Sequence, residues 1–312
     1  MSKLLIVFGA TGQQGGSVIT SVINDPELSK QYKMRAITRD PSSKSSKEIE
    51  AKGIEVVQAD ADDQESLRQA LQGAHTVVGI TVSVYDEDFK TKEVAQGKAI
   101  VDAAVAVGAE YFIWSTTPMV SAVSGGKYKD CATFDTKAEV EAYLRSQPIK
   151  SAFFAPGSYM QNVKSTWLPR ALDDGTYAIF HIVAPQTTIP LIEIASDTGK
   201  YVSAMLADPA KYEGKVFSAA SEIWAIEDIA SAIGRACGKT VKYMQVPEAD
   251  FRSRLPLHPP VVTSLVEMML FIQDFAYYGP ETKEKVQWTA ENARGKLTSF
   301  EDYLVANPIS LQ

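Results

Sequence analysis

Glycine stands at positions 9, 12 and 15, directly after five apolar residues, Leu4-Leu5-Ile6-Val7-Phe8. A continuous apolar run of that kind marks a strand buried on both faces. Val18, Ile19, Val22 and Ile23 then recur at helical spacing. Glycines between such a strand and a helix let the backbone turn tightly and come close to a ligand. The free N–H groups and dipole of the helix N-terminus then hold negative charge. The turn Gly9-Ala10-Thr11-Gly12-Gln13-Gln14-Gly15 is therefore expected to bind a dinucleotide through its pyrophosphate. The alternative is a plain tight turn, and its place at the start of a strand–helix–strand unit favours the binding reading.

Arg39 ends the second apolar run, Met34–Thr38, where the 2′ position of an adenosine ribose should lie. An arginine there accommodates the 2′-phosphate of NADP, whereas an acid bonds the free 2′-OH of NAD. Asp40 is such an acid and keeps NAD open as the weaker alternative. Asp40-Pro41 reads as a turn, and Lys44 adds positive charge nearby, so NADP(H) is the expected cofactor. Asp60-Ala61 and Thr81-Val82-Ser83 follow the third and fourth strands, and ligands bind outside the carboxyl ends of parallel strands. Asp60 has a second reading, as the opening of the next helix.

The elements that must hold these residues alternate along the first half of the chain. Strands are expected at 4–8, 34–38, 54–58, 76–82, 111–114 and 151–155. Helices are expected after Gly15, over 46–52, from the capping pair Asp62 and Glu65 to Gly73, and over 92–107 and 136–145. Such alternation with short connections means parallel strands. After Pro156 the pattern changes. Isolated strands are expected at 187–193, 216–220 and 241–246, and helices at 194–206, 226–237, 249–255 and 261–275. The expected fold is α/β: a Rossmann-type doubly wound parallel sheet with a smaller mixed α/β C-terminal lid domain. Residues 1–156 would form the NADP-binding domain, with 190–206 returning to it, and 157–312 the smaller substrate or partner domain.

The spacing GxxGxxG, rather than GxGxxG, resembles the extended and atypical branches of the short-chain dehydrogenase/reductase superfamily. The run Val7-Phe8-Gly9-Ala10-Thr11-Gly12-Gln13-Gln14-Gly15-Gly16-Ser17-Val18 is similar, more specifically, to the NmrA-like family. So are Thr38-Arg39-Asp40-Pro41, Val56-Val57-Gln58-Ala59-Asp60-Ala61-Asp62-Asp63, Gln96-Gly97-Lys98 and Phe134-Asp135-Thr136-Lys137. The resemblance spans nearly the whole chain and is most specific over 4–165. It implies cofactor contacts at Asp60, Ala61, Thr81, Val82 and Ser83, and at Tyr159-Met160-Gln161-Asn162 beside the nicotinamide. There Tyr159, Gln161 and Asn162 would stack on the ring and bond its carboxamide; a plain loop is the other reading.

The resemblance also carries a departure. The superfamily uses Tyr-x-x-x-Lys, in which the lysine holds the nicotinamide ribose and lowers the tyrosine pKa, and the tyrosine passes a proton to the substrate. Lys137 matches that lysine, but Thr133 stands four residues before it, and none of the 13 tyrosines has lysine four residues on. An alcohol is a far weaker acid than a phenol. Lys137 thus reads as a ribose ligand without its acid, or else as an exposed helix lysine. Ser115-Thr116-Thr117 occupies the region of the usual catalytic serine.

Composition narrows the classes. The net charge is −7 with no long basic block, which argues against direct nucleic-acid binding. The cysteines, Cys131 and Cys237, lack CxxC spacing, and His75, His181 and His258 lack metal-ligand spacing, so no metal site is expected. The uncharged stretch 177–192, broken by His181, Pro185 and Pro190, falls short of a membrane span. A soluble protein of the cytoplasm, and also of the nucleus, is expected. Pro259–Tyr278 reads as core packing or as the lining of a substrate or partner groove. The family resemblance implies two functions, a dinucleotide-binding redox sensor that regulates transcription through a protein partner or an NADPH-dependent reductase of a small carbonyl, imine or alkene substrate; a cofactor-stabilised scaffold is the third reading.

Overall fold

Side chains along the first strand, β1 (Lys3–Val7), alternate between two cores. Leu5 and Val7 join Val18, Ile19, Ile113, Phe154, Tyr201 and Phe217 on one face. Ile6 joins Val77, Phe112, Trp114, Val140 and Phe153 on the other. A strand covered on both sides needs apolar residues at both parities, and so its sequence is a continuous apolar run. The same holds for β5 (Tyr111–Ser115) below, where all five residues are buried.

The computed structural model describes residues 2–311. The strands after β1 are β2 (Tyr32–Thr38), β3 (Glu55–Gln58), β4 (Thr76–Gly79), β5, β6 (Lys150–Pro156), β7 (Ser158–Tyr159), β8 (Arg170–Ala171) and β9 (Tyr177–His181). They are followed by β10 (Thr188–Ile192), β11 (Val216–Ala219), β12 (Glu222–Ala225) and β13 (Val241–Gln245). The main sheet has seven strands in the order β11-β6-β5-β4-β1-β2-β3, and every pairing in it is parallel. This is the expected Rossmann-type sheet, and its order reverses between β1 and β4. At that switch point the loops after the two strands diverge and leave a crevice at their carboxyl ends. Two mixed three-stranded sheets, β12-β10-β7 and β13-β9-β8, belong to the second half of the chain. A third core around Met160, Ile189, Phe271 and Phe300 sits there.

Several boundaries differ from the sequence reading. β11 is not isolated: it pairs with β6, Phe217 opposite Phe154, and is the sheet's seventh strand. β10 joins a small sheet, while the helix after it, Ile194–Ala207, returns to the main body against the first helix, Gln13–Asn24. β4 stops at Gly79, whose pairing with Trp114 of β5 is the last in its ladders. Thr81, Val82 and Ser83 are therefore loop residues. The helix Ala132–Arg145 starts four residues before Thr136, and Ser264 Oγ accepts the Thr133 N–H (2.8 Å) that would otherwise be orphaned. Asp63, not Asp62, caps the helix Gln64–Ala70, accepting from Glu65 N and Ser66 N; Asp62 accepts instead from Gln96. β9, β12 and the helices Thr282–Glu291 and Phe300–Ala306 had no counterpart in the sequence reading. Among the described residues no helix is long and apolar enough to cross a membrane.

The helix that bears the glycine turn is held by small residues. Gly199 N donates to Ser17 Oγ (2.9 Å), and Ser21 Oγ meets Ser203 Oγ at 2.9 Å. A Cβ on Gly199 would lie 2.3 Å from the Ser17 carbonyl oxygen. Gly199→Ala should therefore destabilise the protein by about 1–3 kcal/mol, since overpacking against backbone outweighs the roughly 1 kcal/mol helix-propensity gain. Urea unfolding checks this, and an unchanged or raised midpoint would contradict the close approach.

Candidate functional site

The turn after β1 is built on backbone contacts. Gly9 has φ +61°, and Gly12 N donates to Gly9 O at 2.9 Å. A Cβ on Gly15 would lie 2.3 Å from the Gly9 oxygen, so only glycine lets the helix start this close to the strand end. Gly12 caps the helix without a side-chain bond, and no acid occupies the first turn. Ala10 is buried, and Thr11, Gly12 and Gln13 are exposed at the mouth of the turn. Its N–H groups and positive dipole end are thus uncompensated by any local carboxylate.

Arg39 and Asp60 come together. With Gln58, Ala59, Asp63 and Ser66 they line a cleft of about 250 Å³ beside the ends of β2 and β3. Arg39 is exposed and makes no ion pair among the described residues, while its carbonyl accepts from Gln58 Nε2 (3.0 Å). Asp40 accepts from the N–H and hydroxyl of Ser42 (2.9 and 2.6 Å), which closes the Asp40-Pro41 turn and takes Asp40 up locally. Asp60 accepts from Asp62 N (3.1 Å), Ala61 packs on the sheet core, and Lys44 is exposed, 3.9 Å from Glu48.

Between the loop after β4 and the helix Ala132–Arg145 lies a residue that the sequence reading missed. Glu93, on the helix Phe89–Ala106, is 3% exposed and ion-paired with Lys137. Its oxygens also accept from Thr81 (2.8 Å), Ser83 (3.1 and 3.0 Å) and Thr136 (3.2 Å). Lys137 Nζ donates in addition to Thr81 Oγ1 (3.0 Å). Burial pushes the Glu93 carboxyl up, but the Lys137 ammonium and the hydroxyls outweigh it and hold it below its ordinary value. Thr81 and Ser83, expected on the cofactor, thus have their hydroxyl protons committed to Glu93, while Val82 between them is exposed. The signal for Glu93 was present: it shares the buried face of its helix with Gly97, Ile100 and Ala104, an apolar stripe interrupted by one charge.

Thr133 and Lys137 lie one turn apart on one helix, yet no side-chain hydrogen bond joins them among the described residues. Thr133 is buried, and its hydroxyl accepts from Ser264 Oγ (2.9 Å) on the helix Pro259–Phe275. Cys131 beside it is pushed up to about 12 by burial and is a packing group, not a thiolate. Pro259–Phe275 contributes Val262, Val266, Met269 and Phe271 to the third core. His181 is driven down to about 4 by burial and packs against Phe251.

Gln14, Ser115 and Tyr159 meet across the strand ends. The Gln14 amide bridges Ser115 Oγ and the Tyr159 hydroxyl, each at 2.9 Å. Burial raises the Tyr159 phenol above its ordinary range, against the Gln14 bond. Gln161 Nε2 donates to Glu193, the N-cap of Ile194–Ala207, and its Oε1 is buried with no partner. Asn162 reaches Ser158 Oγ at 3.4 Å, and its carbonyl accepts from Trp167 N.

The buried pair has a measurable consequence. Removing one partner of such a pair leaves a charge stranded, at a cost of about 3–5 kcal/mol. Lys137→Met should lose about that much stability, and adding Glu93→Gln should return most of it. The sign with pH follows: the folded-state pKa of Glu93 is depressed, so this stability is present above the ordinary carboxylate range and lost as pH falls through the depressed value. Denaturant titrations at neutral and acid pH check both; equal losses in the single and double variants would deny the pairing.

Comparison with known proteins gives a consistent picture. The pattern of the NmrA-like family matches residues 1–304. FrzB, an NmrA-like family domain-containing oxidoreductase of Cladobotryum sp., is 28% identical over 307 residues, covering 91% of this chain and 88% of FrzB. The structure of NmrA, a negative transcriptional regulator, in complex with NADP superposes with TM-score 0.78 at 21% identity, covering 98% of this chain and 95% of that one. The same regulator has also been seen in complex with NAD. An NADPH-dependent quinone oxidoreductase of Escherichia coli complexed with NADPH gives TM-score 0.76 at 22% identity, covering 97% and 99%. At these identities the two structures speak for the fold.

Proposed function

This chain belongs to the NmrA-like family, and on that premise we propose that it binds NADP(H) and acts as a redox-responsive regulator through a protein partner. The residues present fit the cofactor. The Gly9–Gly15 turn would hold the pyrophosphate, Arg39 the 2′-phosphate and Lys137 the nicotinamide ribose. The unpartnered Gln161 oxygen would accept from the carboxamide. Bound NADPH would supply a hydride. The smaller sheets after residue 157 would present the partner surface, in cytoplasm or nucleus. The acidic balance favours a protein partner over DNA.

The observation that carries the regulatory reading is that the residue four before Lys137 is a buried threonine and not a phenol, and that the hydroxyls bonded to the Lys137–Glu93 pair are already committed. Thr133 is buried and bonded to Ser264, and the Thr81 and Ser83 hydroxyls point their protons at Glu93. Regulation requires that a partner prefer one cofactor state of the protein. Partner affinity is expected to differ between NADP⁺, NADPH and no cofactor, measured on a partner isolated by affinity capture; three equal affinities would remove the regulatory claim.

A second reading, an NADPH-dependent oxidoreductase of a small carbonyl, imine or alkene, has its own support. Several relatives are oxidoreductases by name, and Val82, Val84 and Tyr85 expose apolar surface on the loop after β4. Hydride transfer depends on positioning more than on a side-chain acid. NADPH oxidation against a panel of such compounds distinguishes the two readings.

Arg39→Ala should weaken NADP(H) binding by about 1–3 kcal/mol, the range for a charge-assisted hydrogen bond, and leave NAD(H) nearly unchanged. Calorimetric titration with both dinucleotides decides it; equal losses would refute the 2′-phosphate assignment.

A further inference from the structure

Glu93 orders the donors around it without ambiguity. A carboxylate only accepts, so Thr81 and Ser83 must give it their protons. Thr81 Oγ1, having donated, is left to accept, and it accepts from Lys137 Nζ (3.0 Å). An ammonium has three N–H bonds. One is directed at Glu93 and one at Thr81, and one remains. The side chain of Lys137 is 15% exposed and so is not sealed off from a ligand that could take that last donor.

We infer that Glu93 is the positioning residue of the cofactor site: it fixes Lys137 so that a single N–H is reserved for a ribose hydroxyl of the nicotinamide nucleotide. This rests on the NADP(H) reading above. The carboxylate also cancels the ammonium charge within the crevice, so Lys137 is an anchor and does not acidify neighbouring hydroxyls. The three elements it ties, the loop after β4 and the helices Phe89–Ala106 and Ala132–Arg145, are the walls of the crevice beside β4 and β5.

The test compares two ligands on the full chain. NADP⁺ carries the nicotinamide ribose, and adenosine 2′,5′-bisphosphate lacks it. Glu93→Gln keeps an acceptor for Thr81 and Ser83 but removes the charge that holds Lys137 in place. It should weaken NADP⁺ by about fivefold, the value of one modest hydrogen bond, and change the fragment by less than about twofold. In Glu93→Gln/Lys137→Met the loss for NADP⁺ should be no greater than in Lys137→Met, because the effect passes through the lysine. If Lys137→Met does not fold, the ligand comparison decides alone. A parallel loss for both ligands, or penalties that multiply in the double variant, would mean that Glu93 merely holds the loop, and would overturn the inference. So would unchanged NADP⁺ affinity in Glu93→Gln. If the unaltered protein binds neither NADP⁺ nor NADPH, the cofactor reading itself falls and takes this one with it.

Discussion

A carboxylate removed from water must have every lone pair answered, and at Glu93 the answers come from two other stretches of chain. Thr81 and Ser83 approach from the loop after β4, Thr136 and Lys137 from the helix behind β5. Unpaired, such a charge would favour unfolding or protonation; fully paired, it fixes the mutual position of all three elements. The crevice at the switch point of the sheet is therefore walled by electrostatics on the β4–β5 side. On the β1 side it is walled by bare backbone, where Gly15 lies against Gly9.

These two walls suit different parts of an anionic ligand. Backbone N–H groups at a helix start attract diffuse negative charge and make no demand on protonation. A neutralised ion pair offers one directed bond and little net field. Between them the Gln14 amide joins Ser115 to Tyr159 and so ties the first turn of the first helix to the segment after β6. A ligand spanning the walls would bridge elements that are otherwise connected only through the sheet. That is the kind of contact by which a small molecule shifts the shape seen by a partner.

The sheet half was legible in the sequence because burial on both faces writes continuous apolar runs, and glycine punctuates them. Leu4–Phe8 and 111–114 were recognisable for that reason. The termini of elements were less so: Thr133 owes its helical start to Ser264, a residue 131 positions away. β11 reads like any short apolar run, and only its pairing with β6 places it in the sheet. Thr282–Glu291 buries Val286 and Thr289 among polar neighbours and leaves a weak periodic signal. Within the site, the tight glycine turn and the place of Arg39 directly after β2 were readable from residue type and spacing. Glu93 was not, because a glutamate on a helix reads as solvent-facing until the helix's buried stripe is drawn through it.

The seam between the first helix and Ile194–Ala207 has a temporal side. Ser17 and Gly199 are 182 positions apart. Synthesis at about 5–20 residues per second separates their emergence by roughly 10–40 s. During that interval the apolar face around Val18, Ile19 and Val22 lacks the cover that Tyr201, Val202 and Met205 later supply. Contacts this distant in sequence reward the chain only after a long loop has closed. The residues of the first helix, made well before Gly199, are thus among the last to be locked, and the glycine turn acquires its final rigidity from a much later part of the chain.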